Sequence, residues 1–202
     1  MSDLLSDRVF RSTLIADAVL IIGYILSAVR PDHRIWPIGD SSWRWWLNWS
    51  ALTAVFTGFP VLAYLDWDSF VFTGRWSKLT GGSIGMLGMG FALSALFELG
   101  WMESSGKEGE LQTDGIYQYT RNPQSVGFIT FVVGAIIATN SRKLAGHGIL
   151  TIIVYVLFPF AEEPWLREQY GEEYEAYCDR TPRFVGRELL QKLSNWCVRE
   201  LL

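Results

Sequence analysis

The chain has 202 residues, half of them hydrophobic, and contains ten Trp, eight Tyr and twelve Phe. Its formal net charge of -4 argues against a nucleic-acid partner, because proteins of that kind present strongly basic surfaces. The length fits a single domain, 1–202, and the two cysteines and two histidines lack the spacing of a metal site.

Five apolar runs predict an all-α fold, a polytopic membrane helix bundle with about five transmembrane helices. The runs cover 13–29, 47–65, 81–99, 123–139 and 148–161. The last two are shorter than the roughly 20 residues that usually cross the hydrocarbon core, so length alone leaves their spanning open. The short connection between these two runs predicts an antiparallel hairpin.

The composition of the second and third runs adds detail to this prediction. A tryptophan cluster resembles the aromatic belt of a membrane interface, with a soluble aromatic core as the alternative. The cluster consists of Trp43, Trp45, Trp46 and Trp49. Pro60 predicts a kink in the second helix. In the third run, the pairs Gly81/Gly85 and Gly90/Ser94 have a small-x-x-x-small spacing, which predicts close packing against a neighbouring helix.

Prolines guide the prediction for the C-terminal part of the chain. Pro159 predicts a bend in the fifth helix, and Pro164 suits the first position of a new helix. The new helix would present one face formed by Leu166, Tyr170, Tyr174 and Tyr177. Residues 185–202 are predicted to form an amphipathic C-terminal helix that lies on the bilayer surface or on the bundle.

A polar, turn-forming segment at 113–127 lies directly against the fourth apolar run. Its Asp-Gly dipeptide favours a turn, and Pro123 suits the first position of the helix that follows. Arg121 and Asn122 would then lie at a helix N-terminus, where backbone N–H groups and the helix dipole favour an anionic group. A solvated loop with an ordinary helix cap is the alternative interpretation.

A second polar segment begins at the end of the fifth run with a pair of glutamates. The two segments contain the patterns G-x-Y-x-x-x-R-N-P-x-x-x-G at 115–127 and E-E-x-x-L-x-x-x-Y-G-x-x-Y-x-x-Y at 162–177, followed by P-R-F at 182–184. Together they resemble the membrane methyltransferases that include isoprenylcysteine carboxyl methyltransferase and the phospholipid N-methyltransferases. The resemblance covers 113–184, which it marks as the catalytic and cofactor core, and it does not specify the substrate.

The resemblance implies S-adenosyl-L-methionine as the cofactor and a set of residues that bind it. These residues are Tyr117, Arg121, Asn122, Pro123, Gly127, Glu162, Glu163 and Tyr174, with Arg121 and Glu163 also assigned as catalytic. A guanidinium can bind the donor's carboxylate through two charge-assisted bonds, and the glutamate pair suits its ammonium group. Tyrosine rings can face the sulfonium or the adenine. For the glutamate pair, a charged helix end at the membrane interface is the alternative.

The expected activity is methyl transfer to a lipophilic acceptor, most like isoprenylcysteine carboxyl O-methylation. Asn122 stands where many members of the superfamily have His, and it cannot take a proton, which favours an anionic nucleophile. Phospholipid N-methylation is the alternative within the superfamily. Glu98 is a further candidate for the site, or else a helix-end carboxylate that reaches water.

The expected surroundings are a lipid bilayer and a lipophilic or lipidated acceptor. Lysines and arginines in the short loops are nearly equally divided between the two sides, so the positive-inside rule gives no orientation. Since the methyl donor is made in the cytosol, the C-terminal tail is expected there.

Two other classes of protein compete with this interpretation. A sterol-type membrane reductase would bind NADPH, but acidic residues outnumber basic ones in 102–122 and in 162–202, which suits a cation better than a polyanion. A small membrane scaffold would explain the helix bundle but not the two polar patterns.

Overall fold

Long helices form most of the chain. The computed structural model describes residues 2–37, 42–71, 74–100, 104–106 and 109–186. The five long helices are α1 (Ser2–Val29), α2 (Trp43–Leu65), α3 (Arg75–Leu99), α4 (Pro123–Thr139) and α5 (Arg142–Arg180). Short 3-10 turns at Pro31–His33 and Gly115–Gln118 lie in the connections. None of the described residues forms a strand, so the all-α prediction is confirmed.

The helices have the length and composition of a membrane bundle. Asp3–Val29, Arg75–Leu99 and Arg142–Arg180 are each long and apolar enough to span a bilayer, and Pro123–Thr139 is apolar but shorter. Large apolar side chains face outward, including Met86 with 78% of its surface exposed, as expected where lipid covers the surface. The predicted polytopic bundle is confirmed. Spanning by α2 and α4, which would complete the five predicted spans, stays a prediction.

Helices α3 and α4 approach each other closely through glycines. A Cβ atom on Gly81 would lie 2.8 Å from the Gly134 carbonyl oxygen, and one on Gly134 would overlap the backbone of Gly85. The predicted packing through Gly81 and Gly85 is therefore confirmed. The prediction for Gly90 and Ser94 is wrong: no atom of the described residues lies within 4 Å of a Cβ on Gly90. At 100° per residue, positions 90 and 94 lie on the side of α3 that faces away from α4.

A buried polar cluster joins α1, α2 and α5. Asp17 Oδ2 lies 2.6 Å from His147 Nδ1, and Thr151 donates a hydrogen bond to Asp17 Oδ1 at 3.1 Å. His147 Nε2 lies 3.2 Å from the Val55 carbonyl oxygen. Both ring nitrogens thus lie within hydrogen-bonding distance of an oxygen on a neighbouring helix. The cluster holds three helices together with hydrogen bonds where water cannot compete.

The α4–α5 hairpin is confirmed, with a tighter turn than the sequence predicts. Asn140 adopts a left-handed conformation with φ of 50°, and the Ser141 side chain caps α5 by accepting a hydrogen bond from Leu144 N. Asp66, which follows α2, accepts hydrogen bonds from Ser141 Oγ at 2.7 Å and from Lys143 N at 2.9 Å. These bonds attach the loop after α2 to the hairpin turn.

The C-terminal helix differs from the prediction. Helix α5 continues through Pro159 and Pro164, so the prediction of a new helix beginning at Pro164 is wrong. The helical geometry is interrupted instead at Gly171, whose φ of 52° is available to a residue without a Cβ. The predicted tyrosine face does pack together, with Tyr174 and Tyr177 buried against Tyr117. The helix predicted at 185–202 falls almost entirely outside the described residues.

Two substitutions test the close contact between α3 and α4. Gly134→Leu should lower the free energy of unfolding by about 1–3 kcal/mol or more, because its side chain has no space against the α3 backbone. Gly90→Leu should change that free energy by roughly 0.5 kcal/mol or less, since its position on α3 is open. Thermal unfolding of both variants in the same detergent measures the difference. Equal losses would contradict close packing at Gly134.

Candidate active site

The segment before α4 is docked against the residues that follow α5. Arg121 N donates to the Pro182 carbonyl oxygen at 2.9 Å. The Asn122 side-chain amide and the Thr120 hydroxyl both donate to the Arg183 carbonyl oxygen, at 3.0 and 3.2 Å. Pro123 is the first residue of α4, as the sequence predicts. The two polar segments, about 40 residues apart in the chain, therefore form one structural unit.

The Glu163 carboxylate lies at the centre of this unit. Arg183 donates from Nε to Oε1 and from Nη2 to Oε2, both at 2.7 Å, in a bidentate pair. Arg121 and Arg167 reach the same carboxylate at 3.4 and 3.5 Å. Only 5% of the Glu163 side chain is exposed. The hydrogen bond from Arg183 to Glu163 raises the pKa of the Arg183 guanidinium, so the pair stays fully charged across the usual pH range.

Arg121 has hydrogen-bonding capacity that its contacts do not use. Its side chain is 9% exposed, and its Nη2 pairs with Glu163. Its Nε and Nη1 atoms are buried and have no hydrogen-bond partner among the described residues. Buried donors without partners are rare in folded proteins because each one costs about 1–3 kcal/mol. Arg121 lines two adjacent cavities, so an anionic ligand there would satisfy these donors.

Three neighbouring cavities run from this unit into the bundle. The first, which we call the polar pocket, has a volume of about 70 Å³. Its lining includes Glu110, Tyr117, Arg121, Glu162, Trp165 and Tyr174. The middle pocket, of about 40 Å³, shares Tyr117, Arg121 and Glu162 with the polar pocket and also reaches Asn122 and Pro123.

The third cavity, the apolar cavity, has a volume of about 170 Å³ and lies between α2, α3, α4 and α5. It is lined mainly by aromatic and aliphatic side chains: Trp36, Trp49, Leu52, Phe56, Leu96, Phe128, Tyr155 and Phe158. The remaining lining residues, Ser104, Ser105, Gln124 and Ser125, are polar, and all but Ser105 also line the middle pocket. The cavities therefore form a series that changes from charged to apolar.

The structure separates the two glutamates that the sequence treats as a pair. Glu162 lines both the polar and the middle pockets and makes no ion pair with any described residue. Glu163 contacts three arginines instead and lines none of the three cavities. Gly127 lies at the α3–α4 contact, where a Cβ would be 2.5 Å from Ala92 N. Of the other expected residues, Tyr117 and Tyr174 line the polar pocket.

Hydrogen bonds hold both the side chain and the backbone of Tyr117 in place. Its hydroxyl donates to the Ala95 carbonyl oxygen of α3 at 3.2 Å, and Tyr177 donates to its backbone carbonyl at 2.7 Å. Burial raises the pKa of the Tyr117 hydroxyl, which therefore stays protonated. Tyr117 thus presents a fixed aromatic surface and a neutral hydroxyl to the polar pocket.

Several residues of this site are not assigned by the sequence interpretation. Arg183 lies in the P-R-F pattern, which marked its position without indicating its partner. Tyr177 lies on the predicted tyrosine face, and its bond to Tyr117 depends on the tertiary fold. Glu110 and Trp165 line the polar pocket without any local pattern that indicates them.

Comparison with known proteins places the two polar segments in context. Residues 76–173 match the family profile described as phospholipid methyltransferase. A protein-S-isoprenylcysteine O-methyltransferase from Schizosaccharomyces pombe is 30% identical over 137 residues, covering 60% of this chain and 56% of that protein. A phosphatidylethanolamine N-methyltransferase from Paracoccidioides lutzii is 24% identical over 176 residues, covering 75% of this chain and 18% of that protein. The chain thus spans about half of one relative and under a fifth of the other. No solved structure gives a significant match.

The Glu163 contacts lead to a stability prediction. Glu163→Gln should lower the free energy of unfolding by about 2–4 kcal/mol, because it leaves the buried Arg121 guanidinium and the partly exposed Arg183 without their anionic partner. Glu172→Gln on the same helix is the control, and its exposed position should keep the change within about 0.5 kcal/mol. Denaturation in detergent followed by circular dichroism measures both. Equal effects would mean that the Glu163 cluster does not stabilise the fold.

Proposed function

Residues 76–173 belong to the phospholipid methyltransferase family, and on that premise we propose that this chain is an integral membrane methyltransferase that uses S-adenosyl-L-methionine. The observation that carries the proposal is the buried Arg121 beside the polar pocket, whose Nε and Nη1 atoms have no partner in the described part of the chain. The donor supplies its methyl group from a sulfonium centre. The residues of this chain would bind the donor and the acceptor and orient them for methyl transfer.

The residues around the polar pocket suit the chemical groups of this donor. Arg121 would donate a charge-assisted hydrogen bond to the carboxylate from Nε or Nη1, the two nitrogens that do not pair with Glu163. Glu162 lines the same pocket as Arg121. It would face the donor's ammonium group, which is attached to the same carbon as the carboxylate. Tyr117 and Tyr174 would present aromatic faces to the sulfonium or adenine. Glu163 would hold the guanidinium of Arg121 in place.

The charge of the polar pocket disfavours the reductase alternative. Glu110 and Glu162 contribute two carboxylates to its lining, against one guanidinium from Arg121. A nicotinamide dinucleotide phosphate would bring several negative charges next to these carboxylates, which costs free energy in a partly buried site. S-adenosyl-L-methionine carries a sulfonium and an ammonium against one carboxylate, so the pocket complements its charge.

We further propose a lipophilic acceptor that approaches from the bilayer. The apolar cavity adjoins the middle pocket, and together they would place an apolar chain among the aromatic residues and a polar head near Gln124 and Ser125. Methyl transfer is a displacement in which positioning donor and nucleophile supplies much of the rate. The donor would enter from water through the polar pocket, with the C-terminal tail in the cytosol.

An isoprenylcysteine carboxylate is our first choice of acceptor, and an amine phospholipid is the second. A carboxylate needs no base, whereas an ammonium must lose a proton before it can attack. No histidine is among the described residues that line the three cavities. Asn122 supplies no base either, since its amide donates to the Arg183 carbonyl oxygen.

Donor binding tests the first part of the proposal. Arg121→Ala should weaken S-adenosyl-L-methionine binding by about 2–4 kcal/mol, because the donor's carboxylate would lose its charged hydrogen-bond partner. Arg142→Ala is the control, since this exposed arginine lies at the start of α5. Calorimetry in detergent measures the affinity, with NADPH titrated in parallel. Unchanged binding by Arg121→Ala would remove this residue from the site, and binding of NADPH alone would support the reductase.

A methylation assay tests the acceptor. With labelled donor, we expect turnover of a prenylcysteine analogue and lower turnover of an amine phospholipid. A water-soluble thiol or amine should react least, because it gains nothing from the apolar cavity. Phe128→Ala should raise the KM of the lipophilic acceptor while leaving donor affinity unchanged, since Phe128 lines the apolar cavity and neither of the two pockets that Arg121 lines. Turnover of the soluble acceptor alone would contradict access from the lipid, and turnover of the amine lipid alone would reverse the ranking.

A further inference from the structure

We infer that Glu98, the penultimate residue of α3, is a positioning residue that holds the Gly115–Gln118 turn and so fixes Tyr117 and Arg121 in the polar pocket. This inference rests on the proposed function. Glu98 lines none of the three cavities, so it acts through the turn and does not touch either substrate.

The contact between Glu98 and the turn is specific. The backbone N–H of Ile116 donates to Glu98 Oε2 at 2.9 Å. A charged acceptor makes this bond stronger than a bond between neutral groups. The carboxylate also fills the space above Gly115: a Cβ there would overlap Oε2 and lie 2.8 Å from Glu98 Cδ. Gly115 has a φ of 58°, a conformation that glycine adopts without strain.

These contacts explain why the first residue of the G-x-Y pattern, Gly115, is a glycine. It must adopt a left-handed conformation and also leave room for a carboxylate from another helix. Glu98 is exposed, yet its carboxylate accepts from Ile116 N and occupies the space that a Cβ at 115 would need. These two contacts favour a positioning role over a side chain that only reaches water.

The Gly115–Gln118 turn connects Glu98 to the residues of the polar pocket. Tyr117 follows Ile116 directly and bonds to α3 through the Ala95 carbonyl oxygen, one turn before Glu98. Tyr177 of α5 donates to the Tyr117 carbonyl oxygen at 2.7 Å. The turn is thus fastened between α3 and α5, and Arg121 lies only four residues further along the chain. Loss of the Glu98 bond would free the N-terminal end of the turn and allow Tyr117 and Arg121 to shift.

The test compares Glu98→Ala, Glu98→Gln and the control Ser94→Ala, which lies one turn earlier on α3 and is exposed. Glu98→Ala should weaken S-adenosyl-L-methionine binding about tenfold in calorimetry, since a lost charge-assisted bond costs roughly 1.4 kcal/mol or more. Glu98→Gln should stay within about threefold of wild type, because its amide oxygen can still accept from Ile116 N. Ser94→Ala should bind like wild type. Equal affinity of Glu98→Ala and wild type would overturn the inference.

Amide hydrogen exchange gives a readout that does not depend on the donor. The peptide covering 113–120 should exchange faster in Glu98→Ala than in wild type or Glu98→Gln, because the Ile116 amide loses its acceptor. No binding by wild type would reject the proposed donor, while the exchange rates would still test Glu98. Unchanged exchange would reject the positioning role. If Glu98→Ala does not fold, Glu98→Leu replaces it, because leucine places an apolar side chain at position 98 and offers no acceptor to Ile116 N.

Discussion

The architecture of the site depends on one buried carboxylate and the three arginines around it. Glu163 lies on α5, Arg121 precedes α4, and Arg183 follows α5, so the carboxylate joins three separate parts of the chain. A buried carboxylate needs compensating charge, and the arginines need an anion in turn. Because Arg183 occupies both oxygens through a bidentate pair, Arg121 is held by only one nitrogen. The same cluster that orders the site therefore leaves Arg121 with donors for a ligand.

The close packing of α3 against α4 is a second constraint on the structure. The glycines between α3 and α4 bring the two helix backbones together along much of their length. Both helices also contribute to the apolar cavity, where Leu96 of α3 and Phe128 of α4 meet residues of α2 and α5. Close packing at Gly127 and a cavity at Phe128 are compatible because adjacent residues of a helix point in directions about 100° apart. The bundle thus provides an apolar volume beside a charged site.

The sequence predicts the parts of this structure that depend on local pattern or on recurrent motifs. The five helices and the contact face at Gly81 and Gly85 follow from hydrophobic runs and residue spacing. Pro164 is misleading because the surrounding packing keeps α5 helical across it, and Gly171 takes the irregular conformation instead. The different surroundings of Glu162 and Glu163 could not be predicted either. Adjacent residues on a helix point in directions about 100° apart, and only the tertiary fold decides which of them meets the arginines.

The buried contact between Asp17 and His147 has a consequence for how the protein is made. The two residues lie 130 positions apart, so α1 leaves the ribosome well before its partner on α5 is synthesised. An aspartate at the centre of an inserting helix costs roughly 2.5–3.5 kcal/mol in translocon measurements. The first helix therefore enters the membrane with an unfavourable group whose partners among the described residues, His147 and Thr151, both lie on α5. Biogenesis is thus coupled across the whole bundle, and a nascent chain truncated before α5 would lack the contact that secures α1 in the lipid.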